Sequence, residues 1–148
     1  LRGFTLLELL IVFVVLALVG AVVTPGLAGR LGPVEAETTA REIAARLRQT
    51  RSEAIGSNLD LAFAVDVEQR SYSVAGRPPR PLPANLDVSL VTAEIERLGR
   101  NAGAIRFFPD GSSTGGEIRL TGGNSSFRIE VDWLTGRVRI EKGGPVAG

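Results

Sequence analysis

From Phe4 to Val23 the chain is apolar except at Thr5 and Glu8. About 20 residues at roughly 1.5 Å each match the roughly 30 Å hydrocarbon core of a bilayer. With no water there to satisfy backbone groups, a single helix is the conformation this run predicts. Thr24-Pro25-Gly26 closes it, and Pro25, lacking an N–H, predicts a kink or local break. Beyond Gly32-Pro33 apolar residues return with helical spacing, at Ala40, Ile43, Ala44, Leu47 and Ala54. Glu37 with Arg41 and Glu42 with Arg46 stand four apart in the favourable order, each pair worth about 0.2–0.5 kcal/mol. Gly56-Ser57-Asn58 supplies the stop.

At Leu59 the period changes to two. Leu59, Leu61, Phe63 and Val65 alternate, and Tyr72 and Val74 follow a polar turn at residues 66–70, which predicts a hairpin. The proline-rich run 77–83 cannot be a helix or a central strand; it reads as an extended connector to a strand near residues 86–91. A proline-rich ligand motif is the sharper alternative for that run. Residues 105–108, 117–120, 126–131 and 137–140 read as four strands of an antiparallel sheet. Its core face would carry Ile105, Phe107, Ile118, Leu120, Phe127, Ile129 and Val131.

Composition narrows the chemistry. The 148 residues suffice for one domain and a long appendage. Neither Cys nor His occurs, which removes thiolate nucleophiles, disulfides, imidazole bases and Cys/His zinc sites. No cofactor or metal is implied. A net charge of +1 argues against a polybasic nucleic-acid surface, and only Lys142 among the 17 basic residues is lysine. Arg41, Arg46, Arg48 and Arg51 are interleaved with Glu35, Glu37, Glu42 and Glu53, as on a solvated helix face.

The apolar run departs from a cleaved secretory signal, whose cleavage site lies on its far side. Here Arg2-Gly3 punctuates the near side, and Glu8 sits one turn inside. An acid at mid-bilayer depth costs on the order of 2.5–3.5 kcal/mol, and less near the interface, so Glu8 wants a positive partner. Gly3-Phe4-Thr5-Leu6-Leu7-Glu8 resembles the signature of type IV pilins and type II secretion pseudopilins. The resemblance implies that a prepilin peptidase cuts after Gly3, that Phe4 becomes the N-methylated start, and that the helix is retained. It also implies that Glu8 meets the terminal amine of a neighbouring subunit during assembly. With no initiator Met and three residues before the cut, the sequence is expected to begin inside the leader.

The loop Pro109-Asp110-Gly111-Ser112-Ser113-Thr114-Gly115-Gly116 contains the G-x-S-x-G spacing of a nucleophile elbow. That motif needs a strand-to-helix turn and a histidine base, whereas this loop joins two apparent strands in a chain without histidine. No Lys follows the glycines as a phosphate loop requires. A structural turn held by Asp and Ser side chains is the better reading. A carboxylate-only enzyme using Asp110 or Asp132 lacks a supporting pair.

Together with Val131-Asp132-Trp133-Leu134-Thr135-Gly136-Arg137-Val138, the loop resembles the GspH/FimT group of the type IV pilin-like superfamily, in particular its type II secretion branch. The implied fold is α+β: a long N-terminal helix, membrane-spanning in its first half and amphipathic in its second, packed on an antiparallel β-sandwich-like head. The middle hairpin and C-terminal strands agree independently. The expected organisation is a leader remnant at 1–3, an assembly helix at 4–24, a helical extension at 25–58 and a β-rich periplasmic head at 59–148. The implied role is a non-enzymatic minor pseudopilin at or near the tip of a periplasmic filament, anchored in the inner membrane. Its expected partners are other major and minor pseudopilins, the inner-membrane assembly platform and the prepilin peptidase. The alternative is a FimT-like minor pilin that binds DNA through Arg137 and Arg139, since Gly136-Arg137-Val138-Arg139 resembles that group's G-R-x-R segment. Both arginines could instead pair with Glu117, Glu130 or Glu141 across strands.

Overall fold

Among the described residues, the helical and alternating stretches of the sequence become one helix and eight strands. In this computed structural model, residues 5–92 and 102–144 are described, with side chains for all of these except 20–31. Helix α1 runs Leu6–Ser57, followed by β1 Leu61–Asp66, β2 Ser71–Val74, β3 Arg80–Pro81, β4 Asp87–Thr92, β5 Ala102–Phe107, β6 Gly116–Gly122, β7 Ser125–Val131 and β8 Val138–Gly143. By internal contacts the chain divides into residues 1–31 and 32–148, and each unit has its own character.

In the first unit Thr5 caps the helix. Its Oγ1 accepts the backbone N–H of Glu8 at 3.3 Å, satisfying one of the donors left open in a first turn. Every residue from Thr5 to Val19 is exposed. The break expected at Pro25 is absent: α1 is continuous there, and so there is no second helix start after Pro33. A proline removes one i→i−4 bond, and the flanking turns carry the helix through.

In the second unit α1 buries a narrow stripe. Ala40, Ile43, Ala44, Leu47 and Ala54 are all fully inaccessible, as the helical spacing predicts, and Ala36, equally inaccessible, extends the stripe by one turn. Small alanines let the helix lie close to the sheets, while Ile43 and Leu47 fill the space between, each worth roughly 1.5–3 kcal/mol of burial. Asn58, at φ 55°, ends the helix in the left-handed region, and the Leu59 N–H reaches back to the Ala54 carbonyl at 3.3 Å. That cap removes Leu59 from the strand expected to start there, and its side chain is exposed.

All strand pairs are antiparallel, and the strands form two four-stranded sheets, ordered β3-β2-β1-β5 and β4-β6-β7-β8. This corrects the expectation of one sheet from the four C-terminal strands. β5 pairs with β1, setting Ile105 opposite Phe63, and β4 borders β6 instead. Alternation tells which face is buried but not which strand is the neighbour. The sequence did hold a clue: residues 108–115 are more than a hairpin needs, since such loops commonly have two to five residues.

Every core residue expected on the C-terminal strands is buried, and these join Phe63, Val65, Tyr72, Val74, Leu82 and Leu86 in one cluster with the helix stripe. Tyr72 stacks on Phe63, ring centroids 5.5 Å apart, and its hydroxyl donates to Glu42 of α1 at 2.8 Å. Burial, and then that carboxylate, raise the Tyr72 pKa. Glu42 also pairs with Arg80 at 3.0 Å, and so does not make the expected pair with Arg46, which turns to Gln49. The Glu37–Arg41 pair does form, at 2.6 Å.

The proline-rich run is an extended connector clasped to the molecule. Arg77 pairs with Glu53 at 2.7 Å, Leu82 is buried, and Arg70 donates to the Pro83 carbonyl at 2.7 Å. The Arg77 guanidinium is the main cause of a lowered Glu53 pKa. Pro81 lies in the two-residue edge strand β3, where a missing N–H does least harm.

Candidate functional site

Three places hold the residues singled out by the sequence. At the first, Gly3 and Phe4 lie outside the described residues. Glu8 is exposed on the first turn of α1, at the third helical position after the Thr5 cap. Around it Leu6, Leu7, Leu9, Leu10, Ile11 and Phe13 are each at least half exposed, on every side of the helix. A helix apolar all round is not finished as a folding unit; it belongs inside something else. Among the described residues no helix is long and apolar enough to cross a membrane, and the described side chains of this run stop at Val19.

The second place joins the two C-terminal motifs. The β5–β6 loop folds on itself: Asp110 accepts the Ser112 hydroxyl and, at 2.9 Å, the Ser112 N–H. Ser113, the serine at the nucleophile position of the elbow pattern, is buried and fully engaged. Its N–H donates to the Trp133 carbonyl at 2.8 Å, its hydroxyl donates to the Asp132 carbonyl at 3.0 Å, and the same oxygen accepts the Gly115 N–H at 3.0 Å. Thr114 ties the loop back to β5 through both its N–H and its hydroxyl, each paired with the Arg106 backbone at 3.0 Å.

On the other side, the β7–β8 turn is wound around Asp132. Its Oδ1 accepts the Leu134 N–H at 3.1 Å, the Thr135 N–H at 2.8 Å and the Thr135 hydroxyl at 2.9 Å. These bonds favour the ionised acid, and the Asp132 pKa is lowered, chiefly by the Thr135 N–H and then its hydroxyl. Asp110 is lowered likewise by the Ser112 hydroxyl and then its N–H. Arg51 of α1 sits between the two turns and donates from Nε to the Gly111 carbonyl at 2.9 Å. Gly136 has φ 63°, and a Cβ there would lie 2.2 Å from the Gly111 carbonyl oxygen and 2.7 Å from Arg51 Nε. Two motifs about twenty residues apart are therefore one lock closed on the helix. Arg51, expected from the sequence on a solvated helix face, is instead half-buried and bonded here, which the sequence did not show because its partner is a backbone carbonyl 60 positions away.

The third place is the flank of β8. Arg137 and Arg139 are exposed and, among the described residues, make no ion pair; the expected cross-strand pairing with Glu117, Glu130 or Glu141 does not form. Glu117 pairs with Arg119 at 2.7 Å and Arg128 at 3.4 Å, and Arg128 also reaches Glu141 at 4.0 Å. Arg137 and Arg139 instead line a cleft with Arg48 and Arg51.

Comparison with known proteins fits this arrangement. The family described as type II transport protein GspH matches residues 39–136. That span is about two thirds of the chain, from the helix stripe to the end of the lock. The chain belongs to the GspH family. The match starts at Thr39 and stops at Gly136, so it holds both turns of the lock together with Arg51. A second match, the prokaryotic N-terminal methylation motif, covers residues 2–24. The type II secretion system protein H of Xanthomonas campestris pv. campestris is 39% identical over 139 residues, 94% of this chain and 82% of that one. Among solved structures, the minor pseudopilin EpsH from the type 2 secretion system of Vibrio cholerae aligns with TM-score 0.58 at 18% identity, over 72% of this chain and 96% of its own. The type IV minor pilin FimU of Pseudomonas aeruginosa aligns with TM-score 0.52 at 16% identity, over 72% and 88%. These likenesses establish the pilin-like α+β fold for this member of the GspH family.

Proposed function

We propose that this chain is a minor pseudopilin of a type II secretion system, a structural subunit of the periplasmic pseudopilus at or near its tip. The observation that carries the reading is the first unit of the chain: a capped helix whose described side chains are apolar on all sides and exposed, interrupted only by Thr5 and Glu8. A folded head does not need such a helix; a bilayer followed by a bundle of like helices does. In this reading the helix first holds the protein in the inner membrane as a single pass, with the head in the periplasm. Cleavage after Gly3 and methylation of Phe4 give the mature start, and the helix then packs among those of other pseudopilins. The work is packing and charge pairing, with no reaction performed by the chain.

Glu8 sets the direction of that packing. The positive end of its own helix stabilises a carboxylate by about 0.3–1 kcal/mol. At bilayer-centre depth a charge costs about 2.5–3.5 kcal/mol, less near the interface, and among packed apolar helices it also loses its water. In this reading a cation from outside the helix completes the balance, the terminal amine of a neighbouring subunit. Replacing Glu8 with Ala or Gln is expected to leave the thermal unfolding of the head unchanged while abolishing recovery of the protein in sheared or cross-linked pseudopili. Normal incorporation of Glu8→Ala would refute the pairing.

A further inference from the structure

We infer that the outer edge of β8, with the groove between it and α1, is a docking site for an extended, acidic polypeptide segment of another protein. Two clefts of about 530 Å³ each lie along this seam and share Arg48. One adds Arg51, Arg137 and Arg139; the other adds Phe127, Ile140 and Lys142. Cations outnumber acids along the seam. Asp132 lines the first cleft, bonds its own turn and feels the charge of Arg139, and Glu37 is paired with Arg41, whereas Arg48, Arg51, Arg137, Arg139 and Lys142 form no salt bridge among the described residues. On the opposite flank of α1 the arginines Arg77 and Arg80 are both paired.

The backbone identifies the kind of ligand. β8 is the last strand of its sheet. The Asp132 N–H donates to the Arg137 carbonyl, so Arg137 faces β7, and by alternation Val138, Ile140 and Lys142 turn their N–H and C=O groups outward. Arg48 already donates to the outward Val138 carbonyl at 3.1 Å. The outward groups of Ile140 and Lys142 have no partner among the described residues. An added strand would satisfy them, with alternate acidic side chains reaching the arginines and apolar ones meeting Phe127 and Ile140. A phosphodiester chain could answer the charges but not the paired donors and acceptors of a strand edge. The site shares no residue with the Thr5–Val19 helix, so its test is independent of the assembly role.

The experiment uses the full chain in detergent micelles and a fluorescent peptide alternating Glu and Val, with a Lys/Val peptide and a single-stranded oligonucleotide as comparisons. The Glu/Val peptide should bind, and Arg137→Gln/Arg139→Gln should weaken it about tenfold. Lys142→Pro deletes an outward N–H without touching the β7 ladder, and should weaken binding several-fold beyond Lys142→Gln. Loss of binding in both variants, with both folded by circular dichroism, supports the site. Absence of binding, loss in only one of the two variants, or tighter binding of the oligonucleotide than of the Glu/Val peptide overturns it.

Discussion

Gly136 and Asp132 show how much of this protein depends on a few atoms in its turns. At Gly136 any side chain meets two obstacles at once, a left-handed backbone and the Gly111 carbonyl 2.2 Å from the added carbon. The conformational cost alone is about 1–2 kcal/mol, and crowding against backbone adds to it. Gly136→Ala should therefore lower the unfolding free energy by about 2–4 kcal/mol in urea titration, whereas Gly56→Ala, with open space around it, should not. Alongside Glu53, whose pKa is also lowered, Asp132 and Asp110 contribute to the molecule's acid limb. Their folded-state pKa values lie below the ordinary 3.8, so their contribution is complete above about 3.8 and is lost as pH falls through the lowered values. Melting temperature should fall across that acid window in the wild type, and fall less steeply there in Asp132→Ala. The turn character of both loops was legible from their Asp, Ser and Gly content. Their closure on Arg51 was not, because a carbonyl acceptor leaves no mark in a sequence.

At the scale of elements, α1 carries two different faces in succession. Its first turns are apolar all round, and from Gly32 on a stripe of alanines with Ile43 and Leu47 faces the sheets. That stripe was legible from Ala40 to Ala54, since a period of 3.6 admits one reading, while Val34 and Ile55 fall off it and are exposed. Strand positions and their buried faces were legible in the same way. Strand partners were not, because the same alternation serves either sheet, and β5 was assigned to the wrong one. Leu47 is fully buried at the junction of helix and core. Leu47→Ala should cost about 2–5 kcal/mol by chemical denaturation, against less than about 0.5 kcal/mol for the exposed Arg41→Ala on the same helix.

For the whole molecule, the chain combines a head with its own core and a helix whose described side chains from Thr5 to Val19 are exposed. The head's core is closed by both sheets and α1, and the turns at Gly111 and Gly136 close on one another and on Arg51. The helix's Leu, Ile, Val and Phe side chains from Leu6 to Val19 are left exposed. Such an arrangement suits a subunit whose folding is completed by assembly.

The central claim is that this apolar helix is kept, starting at Phe4, for packing between subunits. Intact-mass spectrometry of the mature polypeptide from cells with an active prepilin peptidase tests it most directly. The expected mass is that of a chain beginning with N-methylated Phe4. A mature chain starting beyond residue 25, or one left uncut before Phe4, would contradict it.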